Sequence, residues 1–192
     1  MVTGHNLGIL MLFLALAVLV LPLQWIAAAV LAGAFHELCH YVALRLCRGQ
    51  VHGLSVGLFG ARMRAGGLST MQQLLCALAG PAGSFLLLVC ARWMPRIAIC
   101  AGFQGVYNLL PVYPLDGGRA LRCFTELCLP ERISRAICNW TEWLCLIGTV
   151  FLGLYGCFAL HLGVFPLLGA ISLMSRTFQG KIPCKPWGNS VQ

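Results

Sequence analysis

Residues 26–46 have the sequence IAAAVLAGAFHELCHYVALRL, an apolar run of 21 residues that contains a His-Glu-x-x-His pattern. A helix of about 20 apolar residues is long enough to cross a lipid bilayer. Ionisable groups are costly at membrane depth. His36, Glu37 and His40 within such a helix therefore indicate a functional site rather than a chance pattern.

The rest of the chain is also too apolar for a protein surrounded by water. Of its 192 residues, 59% are hydrophobic and 9% are charged, whereas a soluble domain carries roughly 25% charged residues. The composition therefore predicts an all-α membrane protein whose main solvent is the lipid bilayer. We expect one polytopic membrane domain over residues 1–180 and a short C-terminal tail over residues 181–192.

The apolar runs predict about six transmembrane helices, near residues 7–23, 26–46, 70–91, 97–113, 140–160 and 163–175. No basic residue precedes the first run and no small-residue cleavage site follows it, so we expect a retained helix rather than a signal peptide. The Gly-rich residues 51–65 alternate partly in polarity, which predicts a short β-hairpin or re-entrant loop after the second helix. Residues 116–135 are amphipathic and Arg-rich, which predicts a short interfacial helix.

The net charge of +8 is distributed as a topology signal. The basic residues lie at the ends of apolar runs, where they contact anionic lipid, and no basic stretch is interleaved with aromatics as nucleic-acid binding would require. With six crossings, eleven of the thirteen Lys and Arg residues fall on one side of the membrane, and with five crossings the split is eight to five. The positive-inside rule therefore favours six crossings with both termini cytoplasmic.

His36 and His40 lie on one face of a helix because they are four positions apart, so both can bind one metal ion. Glu37 is one step around the helix from His36, near enough to contact a water on the metal without being a ligand. This arrangement is typical of metalloproteases with a His-Glu-x-x-His motif. It predicts one Zn²⁺ ion, which lowers the pKa of a bound water to about 7, and Glu37 as the general base.

A catalytic zinc ion takes three protein ligands and keeps one open position, so the chain must supply a third ligand. Besides Glu37 it has four carboxylates. Three of them lie in or beside the Arg-rich region and are expected to be interfacial charges, namely Glu126, Glu131 and Glu142. Asp116 instead follows the fourth apolar run, after Pro111 and Pro114 have broken the helix. Asp116 is therefore the candidate third ligand, and a turn residue before Gly-Gly is the alternative.

Two segments of the chain resemble the site-2 protease family of intramembrane zinc peptidases. HELCH at residues 36–40 matches the family's HExxH pattern. NLLPVYPLDGGR at residues 108–119 matches its Asn-x-x-Pro-x-x-x-x-Asp-Gly segment. The two patterns occur in the usual order within one apolar region, and the resemblance extends over about residues 26–125.

This resemblance implies a role for each matching residue. His36, His40 and Asp116 would be the metal ligands, and Glu37 would be the general base. Asn108 would be a catalytic residue that orients the substrate or stabilises the oxyanion. A structural hydrogen bond across the broken helix is the alternative for Asn108.

The third predicted helix carries a further likeness and a departure. Its Ala79-Gly80-Pro81 turn is similar to the family, in which an Asn often follows shortly after. This chain has Ser84 there, so helix three is not expected to supply a side-chain amide. The small size, with no PDZ domain and no C-terminal regulatory domain expected, resembles the compact bacterial branch that includes the sporulation-factor proteases.

The resemblance also implies what the chain would act on. The substrate would be a membrane-embedded or membrane-tethered protein of a bacterial cell membrane, cleaved near the cytoplasmic face, such as a sporulation factor or a sigma or anti-sigma factor. A regulatory membrane protein is the further partner to expect. Peptidases often bind an extended substrate as an added strand, so we expect the segment 51–65 to offer a strand edge. Val56, Leu58 and Pro114 are the candidate substrate contacts.

Two other functions fit a membrane protein with these residues. A metal transporter would carry polar residues on several helices and on both sides of the membrane. The outer half of this chain is nearly devoid of them. A catalytically inactive relative that binds membrane partners would have no need of Glu37, which is present.

Overall fold

The computed structural model describes residues 22–57, 60–158, 173–174 and 177. The helices are α1 (Leu23–Leu46), α2 (Thr70–Leu86), α3 (Pro95–Asn108), α4 (Asp116–Cys128) and α5 (Glu131–Phe158). Strands β1 (Gln50–Gly57) and β2 (Gly60–Gly66) lie between α1 and α2, and a 3₁₀ helix (Leu87–Arg92) follows α2. The chain divides into two compact units, residues 1–107 and residues 108–192, and each is described by itself.

Three helical segments are long and apolar enough to cross a membrane, counted over the described residues only. They are Leu23–Leu46, Thr70–Arg92 and Glu131–Phe158. Together with the apolar composition, they indicate a membrane protein. The first predicted helix and most of the sixth lie outside the described residues, so six crossings stay a prediction.

In the first unit, α1 and α2 pack against each other, and glycines of α2 set how closely they approach. A Cβ on Gly83 would overlap the Sγ of Cys39 and lie 2.9 Å from its Cβ. Gly80, one turn earlier, is also buried. Small residues allow membrane helices to approach backbone to backbone. The contact brings α2 against the face of α1 that carries the two histidines.

The start of α2 is defined by a capping box. The Ser69 hydroxyl accepts a hydrogen bond from the Gln72 amide at 3.3 Å, and the Gln72 side chain accepts one from the Ser69 amide at 2.9 Å. These reciprocal bonds satisfy donors that a helix start otherwise leaves unpaired. Pro81 lies within α2, where it lacks the N–H for one ladder bond, and the helix gives way to the 3₁₀ turn at Leu87.

The end of α1 is a Schellman motif that turns the chain towards the strands. Arg48 is in the left-handed region with a φ of 56°. Its amide donates to Arg45 O at 3.1 Å, and the Gly49 amide donates to Leu44 O at 3.0 Å. Both bonds satisfy carbonyls that the helix end would leave unpaired.

The segment predicted as a hairpin or re-entrant loop contains β1 and β2. The strands are antiparallel, from the pair Gln50 and Gly66 to the pair Gly57 and Gly60, with an irregularity just after Val51. Val56, one of the expected substrate contacts, pairs with Ala61. Leu58, another of them, lies outside the described residues.

In the second unit, α4 and α5 are separated by a break at Leu129 and Pro130. Leu129 is extended, with φ −135° and ψ 154°, because proline disfavours the helical conformation in the residue before it. The buried hydroxyls of Thr125 and Ser134, 2.7 Å apart, join the two helices across the break.

Two predicted helix boundaries are wrong, and prolines explain both. The predicted interfacial helix over 116–135 ends at Cys128, and the next helix begins at Glu131 rather than near residue 140. The predicted helix over 97–113 ends at Asn108, before Pro111. Leu129 directly precedes a proline and cannot continue a helix without strain, whereas α3 ends two residues before the position that Pro111 restricts.

Replacing Gly83 by Ala is expected to destabilise the first unit, because the new Cβ overlaps Cys39. Overpacking of this kind costs about 1–3 kcal/mol. Gly148→Ala in α5 is the matched control, since a Cβ there meets nothing within 4 Å and removal of a helical glycine stabilises by about 1 kcal/mol. Thermal unfolding in detergent micelles measures both. A Gly83→Ala protein as stable as the wild type would contradict the close approach of α1 and α2.

Candidate metal centre

The two histidines of α1 bring their ring nitrogens together. Nε2 of His36 and Nε2 of His40 lie 3.2 Å apart, and the rings meet edge to face with an interplanar angle of 83°. His36 is 2% exposed, and His40 is half-buried. The four-residue spacing on one helix face therefore produces the convergence that the sequence predicts.

The orientation of the His40 ring is set by the backbone of α2. Its Nδ1 lies 2.7 Å from the Cys76 carbonyl oxygen. A carbonyl can only accept, so Nδ1 must carry the proton and donate it. In the neutral ring, Nε2 is then left with its lone pair directed towards His36. A ring held through one nitrogen in this way is typical of histidine metal ligands.

The His36 ring is held by a side chain of α2. Its Nδ1 lies 2.8 Å from the Ser84 hydroxyl oxygen, and Ser84 is fully buried. A hydroxyl can donate or accept, so it can serve His36 in either neutral tautomer. When His36 Nδ1–H donates to Ser84, both Nε2 lone pairs face the same point.

Gly80 leaves the space in front of these two nitrogens. A Cβ at this position would overlap Nε2 of His40 and lie 2.7 Å from Nε2 of His36. Any side chain on residue 80 would therefore occupy the point on which the lone pairs converge. The absence of a side chain at Gly80 keeps that point open.

These distances fit a metal ion held through both Nε2 atoms. Zinc binds histidine nitrogen at 2.0–2.1 Å with tetrahedral geometry, which separates two such nitrogens by about 3.3 Å. The observed separation is 3.2 Å. Two lone pairs this close also repel each other unless a proton or a cation lies between them. The pair could therefore supply two ligands to a metal ion.

Glu37 follows His36 on α1 and is half-buried. Among the residues that the structure describes, its carboxylate has no hydrogen-bond or ion-pair partner. A carboxylate that binds no protein group can accept a proton from a water molecule, provided the water lies within hydrogen-bond reach. The general-base role of Glu37 stays a prediction.

Asp116 belongs to the second unit and is the first residue of α4. It is 8% exposed. A carboxylate in the first helical turn is stabilised by the helix dipole. Asp116 is thus a helix-terminal residue before Gly-Gly, and its role as the third ligand stays a prediction.

The two glycines after Asp116 are required by the chain that precedes α4. A Cβ on Gly117 would overlap Leu109 O and lie 2.6 Å from Leu110 O. A Cβ on Gly118 would lie 2.6 Å from Tyr113 N. The segment between α3 and α4 therefore folds back onto the first turn of α4, and only glycine permits that approach.

The other predicted site residues are placed as follows. Asn108 is the last residue of α3 and is half-buried. Pro114 lies in the folded-back segment and is preceded by a cis peptide bond from Tyr113. Val56 lies in β1.

Sequence reasoning missed the groups of α2 that hold the histidine rings. The sequence predicts only that Ser84 replaces an amide side chain at this position. In the structure, the Ser84 hydroxyl contacts His36. Its position in an apolar helix was the available signal, because polar groups at membrane depth indicate function. The Cys76 carbonyl and the space at Gly80 left no such signal, since they depend on how α2 packs against α1.

Comparisons with known proteins bear on the fold. No protein-family model matches the chain, and no curated protein matches it by sequence. Among solved structures, the chain is similar to the site-2 protease from Methanocaldococcus jannaschii, with a TM-score of 0.61 and 18% sequence identity. The similarity covers 90% of this chain and 87% of that chain. At this identity the likeness shows a shared fold, and the activity of that protein is not transferred by it.

Replacing Ser84 by Ala is expected to weaken zinc binding about tenfold, because loss of a group that orients a histidine ligand costs about 10–100-fold in metal affinity. Zinc retained during titration with a competing chelator, measured on the purified protein in detergent, gives the affinity. Ser134→Ala is the matched control, since it also removes a buried serine hydroxyl, in α5 rather than in α2. Equal zinc affinity in the Ser84→Ala and Ser134→Ala proteins would contradict the role of Ser84.

Proposed function

We propose that this chain is an intramembrane zinc metalloprotease of the site-2 type. The observation that carries the proposal is the convergence of two histidine Nε2 atoms, 3.2 Å apart, on a helix long enough to cross a membrane. The fold shared with a site-2 protease and the two sequence patterns of that family support it. The compact bacterial branch is part of the proposal and rests on the sequence resemblance alone.

The proposed ligands are His36, His40 and Asp116. The histidines each offer a ring nitrogen and Asp116 offers a carboxylate oxygen, which are donor types that zinc accepts. Asp116 is supported by its burial at the start of α4 and by its place in the family's Asp-Gly segment. Three protein ligands would leave the open position that a catalytic zinc site needs.

The proposed reaction is hydrolysis of a peptide bond by water. When bound, zinc would supply a Lewis acid that acidifies water and polarises the scissile carbonyl. Glu37 takes a proton from the attacking water and delivers it to the leaving nitrogen as the C–N bond breaks. Asn108 would orient the substrate or stabilise the oxyanion, as the resemblance implies.

The proposed substrate is a membrane-embedded or membrane-tethered protein, cleaved near the cytoplasmic face of a bacterial cell membrane. A substrate of this kind must unwind before its amide can be attacked. We propose that its extended segment pairs with the strands β1 and β2, with contacts to Val56, Leu58 and Pro114. The charge distribution supports a multi-pass protein with both termini cytoplasmic, and a regulatory membrane partner would control access.

Replacing Glu37 by Gln is expected to lower cleavage at least about 100-fold, the contribution of a general base, while zinc content is unchanged. The assay is co-expression with a panel of tagged single-span and membrane-tethered proteins, with products detected by immunoblot. Glu126→Gln is the matched control, because this exposed carboxylate forms an ion pair with Arg122, at 2.8 Å, along α4. A product that persists in the Glu37→Gln protein would show that another enzyme makes it. Absence of any product from the wild type would favour an inactive relative.

Replacing Val56 by Pro is expected to lower cleavage several-fold without changing zinc content, because proline removes a backbone donor and disrupts strand pairing. The same co-expression assay and zinc analysis measure both effects. Val56→Thr, which keeps the backbone donor and a β-branched side chain, is the control and should lose much less activity than Val56→Pro. Cleavage by Val56→Pro at the wild-type rate would contradict the proposed strand edge.

A further inference from the structure

Gln104 is an amide in the apolar helix α3 that points at the helix carrying the histidines. A Cβ built on Gly33 of α1 would lie 3.6 Å from Nε2 and 3.9 Å from Oε1 of Gln104. The head of the Gln104 side chain therefore lies over the backbone of α1, in the space that Gly33 leaves open. Both residues belong to the first compact unit.

The side-chain amide of Gln104 has hydrogen-bond donors and an acceptor that the described part of the chain leaves unbonded. Gln104 is half-buried, and no hydrogen bond joins its side chain to any residue that the structure describes. The exposed residues beside it are apolar, with Phe103 76% and Val106 60% exposed. An amide in an apolar setting costs free energy unless it is hydrogen-bonded, so polar side chains at membrane depth indicate function.

The position of Gln104 relates it to the general base. Gly33 and Glu37 are four residues apart on α1, so they lie on one face of the helix. Four residues of helix rise by about 6 Å, and an extended peptide covers about 3.3 Å per residue. Measured along the axis of α1, the Gln104 amide is therefore offset from Glu37 by about the length of two residues of an extended peptide.

We propose that Gln104 binds the main chain of the unwound substrate, about two residues from the scissile bond. The primary amide offers two donor hydrogens and an acceptor oxygen, which match the C=O and N–H of a peptide group. Binding through the main chain holds an extended segment whatever its side chains are. This inference rests on the proposed function and adds to it a position that recognises the peptide backbone.

The test uses two zinc-binding probes on the full-length, zinc-loaded protein in detergent micelles. A tripeptide hydroxamate carries peptide groups beside its metal-binding end, and acetohydroxamate carries none. Dissociation constants come from the rise of the unfolding midpoint with probe concentration. The variants are Gln104→Met, which keeps the shape of the side chain, and Gln104→Ala, which removes it without adding bulk. Gln73→Met is the control, because its amide donates to Leu68 O at 3.1 Å in the same unit.

The expected result is selective. Both Gln104 variants should bind the tripeptide hydroxamate about five- to tenfold more weakly than the wild type, as loss of one hydrogen bond predicts. Acetohydroxamate binding and zinc content should be unchanged, and Gln73→Met should match the wild type for both probes. Unchanged tripeptide binding, or equal weakening for the two probes, overturns the inference and leaves the proposed metal site standing. A wild-type protein that binds neither probe overturns the proposed function and the inference with it.

Discussion

Two imidazole nitrogens held 3.2 Å apart within a pair of apolar helices are the constraint on which the rest of the first unit depends. Their lone pairs repel unless a proton or cation lies between them, so the arrangement persists only if the rings are held from outside. The Cys76 carbonyl and the Ser84 hydroxyl do this from α2. They can reach the rings because glycines let α2 approach α1 closely. The contact that packs α2 against α1 is therefore also the contact that orients the two rings.

In the second unit, different features set the position of Asp116. Its backbone position is set by the folded-back segment, which rests on Gly117 and Gly118. Proline residues end α3 and glycines allow the return, so a short stretch both stops one helix and starts the next. Asp116 therefore lies at a helix start in its own unit, whereas the histidines of the first unit lie within a helix.

The helix with the histidines and the convergence of their two rings could be predicted from the sequence, because spacing along one helix is a local property. Pro111 and Pro130 were visible signals for the two helix ends that were misplaced, and apolar periodicity outweighed them. Ser84 and Gln104 were visible as polar residues in apolar runs. Their partners depend on which face of α2 or α3 meets α1, and no local pattern contains that information.

The Ser84 hydroxyl can either donate a hydrogen bond to His36 or accept one from it. With its hydroxyl donating to His36 Nδ1, the His36 Nε2–H can donate to His40, and every ring nitrogen has a partner before a metal ion arrives. Binding of a metal ion through both Nε2 atoms, as proposed, would then require a shift of protons on the His36 ring. Small zinc domains fold only when they bind metal. In this helix pair, the hydrogen bonds to the two rings would let α1 and α2 pack before the proposed metal ion binds.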